Sequence, residues 1–172
     1  GTSGARGLAD DITDFVAYAY TKGFLQYLES VNDVGNRKRE IVVAGDFRPS
    51  TDRIMHAIKR AAIDSEYNPI NCGKIPSPAI ALYGLTQRVP SIMVTGSHIP
   101  ADRNGIKFNK STGEILKIDE QGILKQKFEL NENLFSNLKW FISPDDSKWK
   151  ESIDARDFYI ARYTDTFPQD CL

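Results

Sequence analysis

The chain has 172 residues, 41% hydrophobic and 26% charged, with 22 Lys and Arg against 23 Asp and Glu. A charge balance this close to neutral excludes a strongly basic nucleic-acid binder and gives no pull toward an anionic membrane surface. No apolar run approaches the ~20 residues that span a bilayer, and Cys72 and Cys171 lie too far apart for a CxxC pair, so neither a disulfide framework nor a zinc site is expected. The N-terminal GTSGARGLADD has no secretory signal, which leaves one globular domain in a reducing cytoplasm as the expectation.

Ile12, Phe15, Val16, Ala19 and Tyr20 recur at i, i+3, i+4 spacing and predict a helix over residues 11–30 with that face buried. Ile41-Val42-Val43-Ala44-Gly45 predicts a buried strand, with Asp46-Phe47-Arg48-Pro49 as the loop at its carboxyl end. Ser50 or Thr51 can cap the following helix, whose apolar stripe is Ile54, Ile58, Ala61 and Ala62. A second strand begins near Ile70, and Ser77-Pro78 is an N-cap and first-turn pair for a helix reaching Thr86. Residues 91–95 form a third strand. Asn104-Gly105 predicts a turn into Ile106-Lys107-Phe108, and Ser111-Thr112-Gly113 a hairpin turn into a strand over 114–118.

Residues 119–150, broken by Gly122 and Pro144, read as a loose excursion with one short helix, anchored by Trp140, Phe141 and Ile142. Helical character returns from Asp154 and lasts until Pro168. Strand, helix, strand, helix, strand, hairpin is the order of an α/β layered domain with parallel strands at its centre.

Ligands of open α/β sheets gather at the carboxyl ends of the strands. Those ends offer Asp46 and Arg48, then Lys74 and Ser77, then Ser97 and His98 with Arg103 and Lys107 beyond, while the opening contributes Arg6. Cations around one hydroxyl suit the handling of phosphate. Ser97, between Gly96 and His98, is a candidate nucleophile or phosphate carrier, against the plainer reading of a turn serine. It does not sit in the G-x-S-x-G of a hydrolase elbow. His98 is a candidate acid or base beside it, and Lys107 by default a strand-surface lysine. Asp46 and Arg48 read as an ion pair that shapes their loop, and His56 as a surface residue. Gly1, Gly4 and Gly7 leave open a phosphate-cradling backbone or a merely mobile terminus, but the P-loop pattern is absent.

Taken together, these segments are more specific than any one of them. Gly1-Thr2-Ser3-Gly4-Ala5-Arg6-Gly7 resembles the opening motif of the α-D-phosphohexomutases, and Thr95-Gly96-Ser97-His98-Ile99-Pro100 with Asn104-Gly105-Ile106-Lys107 resembles their phosphoserine loop. Gly45-Asp46-Phe47-Arg48-Pro49-Ser50 and Gly73-Lys74-Ile75-Pro76-Ser77-Pro78 match two further family segments in the right order. The resemblance implies a three-layer α/β/α sandwich with a mixed, largely parallel sheet. It makes residues 1–152 the first of the family's domains and residues 153–172 a helix leading toward a second.

Ser97 would then carry the phosphoryl group, with Mg²⁺ bound to one of its phosphate oxygens and the remaining metal ligands in that second domain. Hexose 1,6-bisphosphate is the implied activator, hexose phosphate the substrate, and the remaining domains of the parent chain the partners. Arg6 would supply positive charge, and Lys107, ahead of His98, would move the sugar hydroxyl proton. The family loop more often reads TASHNP; glycine at 96 and isoleucine at 99 are departures that leave serine and histidine in place, and the TGSHIP form points toward mannose. The Asp-Gly-Asp metal loop and the later sugar and phosphate loops of the family are not among these residues, so the piece alone is expected to be inactive. A sister mutase acting on glucosamine phosphates, or a non-catalytic sugar-phosphate-binding module, is the alternative.

Overall fold

The computed structural model describes residues 4–37, 39–143 and 148–167. Readings that fall on Gly1, Thr2, Ser3, Pro144, Pro168 and Cys171 lie outside these residues.

Three short strands make the parallel centre of the sheet: β2 (Glu40–Gly45), β3 (Asn68–Lys74) and β4 (Ser91–Val94); β2 and β4 are mainly apolar, while β3 is more polar and buries Ile70 and Cys72. β2 and β4 are almost wholly buried, as strands covered on both faces must be. The opening segment is itself a strand, β1 (Gly4–Leu8), paired antiparallel with β5 (Arg103–Lys110), which in turn runs antiparallel to β4. With β6 (Gly113–Glu114) on β5 and β7 (Lys150–Glu151) beside β3, the order across the sheet is β1-β5-β4-β2-β3-β7.

One face is covered by α1 (Asp14–Ser30) and α2 (Thr51–Ile63), the other by α3 (Ser77–Gln87) and α5 (Asp154–Thr164). The first core is built from Phe24, Leu28, Ile54, Ile58, Ile92 and Phe108, with the rings of Phe24 and Phe108 4.7 Å apart. The second packs Ile80 and Tyr83 of α3 on Val42, Ala44 and Met93, and Ala155 and Phe158 of α5 join it. This is a three-layer α/β/α sandwich on a mixed sheet. No helix among the described residues is long and apolar enough to cross a membrane.

Several local expectations change. The buried face of α1 carries Ala17, Phe24, Leu25 and Leu28 rather than Val16, Ala19 and Tyr20, because the helix is covered from two sides. Asn104 and Gly105 are not a turn; both are buried inside β5. The strand expected over 114–118 stops at Glu114, and α4 (Lys117–Leu124) follows. Asp119 starts that helix: its Oδ2 accepts from the Leu116 amide at 2.7 Å, while Oδ1 accepts from Tyr27 Oη at 2.6 Å and Lys110 Nζ at 3.1 Å. The Tyr27 hydroxyl, bonded to that carboxylate and then desolvated by burial, has its pKa raised to about 12.

The excursion is tied down rather than loose. Phe135 bridges to Phe141, and the two rings stack at 4.8 Å against Tyr18. Trp140 lies under the Arg53 guanidinium at 4.5 Å, and Asp14 accepts from both Arg53 and the Phe141 amide. The Ile142 side chain is exposed rather than an anchor, while its amide donates to the Leu134 carbonyl at 3.0 Å.

Candidate active site

β4 delivers its carboxyl end from the core to the surface within three residues: Thr95 and Gly96 are buried, Ser97 and His98 exposed. Ser97 adopts φ +56°, a left-handed conformation that costs a non-glycine residue on the order of 1 kcal/mol and persists only when its surroundings enforce it. Two side chains do so from either side. Thr95 Oγ1 accepts from the Ser97 amide at 2.9 Å, and Arg48 Nη2 donates to the Ser97 carbonyl at 3.3 Å. The Ser97 hydroxyl stands 3.3 Å from His98 Nδ1 and is otherwise open.

Asp46 and Arg48 do form the ion pair expected of them, Nε to Oδ2 at 3.2 Å. The cluster around them is larger. Asp46 Oδ1 accepts from the Arg48 amide at 3.1 Å and Thr51 Oγ1 at 2.6 Å, and Oδ2 also accepts from the Gly96 amide at 3.0 Å. Burial pushes the Asp46 carboxyl up, but the bonds from Thr51, the Arg48 and Gly96 amides and Thr95 outweigh it and hold the group below the ordinary aspartate range. Ser50 stands at the N-cap position of α2 without capping it; instead Asn104 Nδ2 donates to Ser50 Oγ at 2.9 Å and Thr51 Oγ1 at 3.1 Å. Asn104 Oδ1 accepts from the Gly105 amide at 2.8 Å. Thr51, Thr95 and Asn104 were not legible as site residues: Thr51 and Thr95 read as ordinary cap and strand-end residues, and the Asn104 partners lie more than fifty positions away.

The cations come from the neighbouring strands. Arg6 of β1 is in register with Gly105, whose carbonyl accepts from the Thr95 amide at 2.9 Å, so the three occupy one row across the sheet. A Cβ placed on Gly105 would lie 3.7 Å from that of Arg6, which puts them on one face. Lys107 is two residues along β5 on the same face, in register with Met93 of the α3-side core. Arg6 is exposed and Lys107 half-buried, and neither makes an ion pair with a described residue. Lys107 also lines a groove of about 380 Å³ with Ser77 and Pro78 at the start of α3.

Lys74 is otherwise engaged, paired with Asp52 and 4.0 Å from the Met55 sulfur. His56 is a surface residue on α2, edge-on to Trp149. Of the opening glycines, Gly4 and Gly7 belong to β1. Ser97 and His98 at the end of β4, and Arg6 and Lys107 on one face of the neighbouring strands, are the described residues here with chemistry suited to a phosphate.

Comparison with known proteins places these features in context. A family model described as phosphoglucomutase/phosphomannomutase, alpha/beta/alpha domain I, matches residues 1–134. The chain is 39% identical over all its 172 residues to a phosphomannomutase of Sinorhizobium fredii, covering 35% of that protein. It is 32% identical over 135 residues, 78% of its length, to a phosphoglucosamine mutase of Helicobacter pylori, covering 30% of it. The fold matches a phosphoglucomutase/phosphomannomutase family protein from Burkholderia thailandensis with TM-score 0.70 at 20% identity, over 94% of this chain and 34% of that one. The chain thus spans about a third of the length of the curated relatives it matches.

Proposed function

Since the chain belongs to the phosphoglucomutase/phosphomannomutase family, as its α/β/α domain I, we propose that it supplies the phosphoryl-carrying serine of an enzyme that interconverts hexose 1-phosphate and hexose 6-phosphate. The observation that carries this is Ser97, exposed and held left-handed at the end of β4. In the first half-reaction a sugar hydroxyl attacks the phosphorus on Ser97, the bond from phosphorus to Oγ breaks, and the hydroxyl proton passes to Lys107, with His98 the other candidate. The hexose 1,6-bisphosphate so formed turns over in the site. Ser97 Oγ then takes its other phosphoryl group, and the proton returns to the freed sugar oxygen. The same bisphosphate, as activator, loads an unphosphorylated serine.

Phosphoryl transfer needs positioning and neutralisation of charge more than new covalent chemistry. Arg6 contributes positive charge toward the transferring group. Magnesium, when bound, adds more charge neutralisation there, and the fit of this chain to it is narrow. The Asp46 oxygens are engaged by the Arg48 amide and Nε, Thr51 and the Gly96 amide, and no cluster of three or more acidic, histidine or cysteine residues lies among the described residues. A phosphate oxygen on Ser97 is what this domain would offer the ion, with the other ligands from the rest of a longer protein.

Mannose phosphate is the proposed substrate, with glucose phosphate beside it, in the cytoplasm and without nucleic-acid or membrane partners. The similarity to phosphoglucosamine mutases favours a second reading in which the sugar is a glucosamine phosphate, and kcat/KM over the three sugars separates them. Ser97→Ala in the full-length enzyme, assayed with hexose 1,6-bisphosphate present, is expected to abolish turnover with the fold intact. Turnover at the wild-type rate would refute the proposal. A non-catalytic binding module would bind sugar phosphate and never carry phosphate on Ser97.

A further inference from the structure

A guanidinium has five N–H groups, and in Arg48 every one is used. Nε donates to Asp46 Oδ2 at 3.2 Å, Nη1 to the carbonyls of Pro100 and Arg103 at 2.5 and 3.0 Å, and Nη2 to those of Ser97 and Ile99 at 3.3 and 2.6 Å. The loop between β4 and β5 thus turns its carbonyls inward around one planar fork. Its other bonds to the rest of the domain come from the Ala9 amide to the Asp102 carbonyl at 2.8 Å and from the Gly96 amide to Asp46 at 3.0 Å; within the loop the Ile99 amide bonds Gly96, the Arg103 amide Pro100 and the Ser97 amide Thr95. With no donor left over, Arg48 has nothing to offer a phosphate.

Glycine at 96 belongs to the same arrangement. A Cβ there would lie 2.3 Å from both Cζ and Nε of Arg48. A flexible arginine tip could normally swing aside, but here moving it breaks the bonds that shape the loop. We infer that Arg48 is a positioning residue for phosphoryl transfer, the template on which the loop carrying Ser97 is folded. The inference rests on the proposed role of Ser97. Arg48 acts through that serine without touching substrate, and a displacement of the loop by ~1 Å is enough to cost about 100-fold in rate.

The test uses the full-length enzyme carrying Arg48→Lys or Arg48→Gln, with Ser97→Ala as reference. Lysine keeps the charge but has three donors on a point cation, and glutamine has two donors and no charge, so neither reproduces the fork. Each variant is expected to lower kcat about 100-fold with KM for hexose phosphate within about threefold, and to slow Ser97 phosphorylation by hexose 1,6-bisphosphate, read by intact mass. A wild-type kcat for either variant beside an inactive Ser97→Ala would overturn the inference. If a melt shows that one of the two does not fold, the other decides alone. Turnover by Ser97→Ala would instead overturn the phosphoserine reading beneath it.

Discussion

Asn104 is fully buried, and its side chain makes three hydrogen bonds: two tie the start of β5 to Ser50 and Thr51 at the start of α2, and the third, from the Gly105 amide, lies within the strand. Asn104→Ala removes all three. At about 1 kcal/mol net for each, with the Gly105 amide left buried and short of a partner, the expected loss is about 3 kcal/mol. A domain of this size loses roughly 2–4 °C of melting temperature per kcal/mol, so the midpoint should fall by roughly 6–12 °C. Asn104→Asp should be no better. The Thr51 hydroxyl has one proton, committed to Asp46 Oδ1, so a carboxylate at 104 would face its lone pairs. Urea titration followed by far-UV circular dichroism measures the loss, with Asn133→Ala, at an exposed position, as the control expected within about 0.5 kcal/mol. A loss below about 0.5 kcal/mol for Asn104→Ala would refute the reasoning, since it would mean that these bonds contribute no more than a surface contact.

Three other outcomes are expected. Gly122→Ala would gain about 1 kcal/mol on helix propensity alone, but its Cβ would lie 2.3 Å from the Tyr27 ring, which Asp119 pins; a net loss of about 1–3 kcal/mol by denaturation is expected, and a gain would contradict it. Lys107→Ala in the full-length enzyme should lower the single-turnover rate far more than substrate affinity, and an unchanged rate would make Lys107 a surface lysine. The Asp46 and Asp119 carboxyls are held below the ordinary aspartate range. Their contribution is therefore full above the unfolded value of ~3.9 and lost as pH falls through the lower folded values. Asp46→Asn should flatten that acid limb of the stability profile, and an unchanged slope would contradict the assignment.

What the sequence disclosed follows from how local the signal was. β2 and β4 were legible because their burial is written in runs of apolar residues, and the stripe of α2 because Ile54, Ile58 and Ala62 face one core, with Ala61 beside them against Tyr18 and Phe135. Asn104-Gly105 misled because the dipeptide is the strongest short hairpin signal, and here a tertiary bond network overrides it. β1 was hidden by glycines that lack side chains to show alternation, and α4 by an N-terminus whose stabilising Asp119 answers to Tyr27, ninety-two residues earlier. For the site, Ser97, His98, Lys107 and Arg6 could be singled out by residue type and order. The fork of Arg48 could not, because its four carbonyl partners are backbone atoms about fifty residues on, with no letter to mark them.

The pairing of β1 with β5 also sets an order of assembly. β2, β3 and β4 join through helices of ordinary length, so the parallel centre can form from contacts close in sequence. Arg6, by contrast, meets Gly105 across a closure of about a hundred residues, an entropic cost met only after the intervening chain is compact. On a ribosome the first strand would emerge and wait, unpaired, for its neighbour to be translated. Arg6 thus joins the row of Gly105 and Thr95 only once the strands and helices between them have packed.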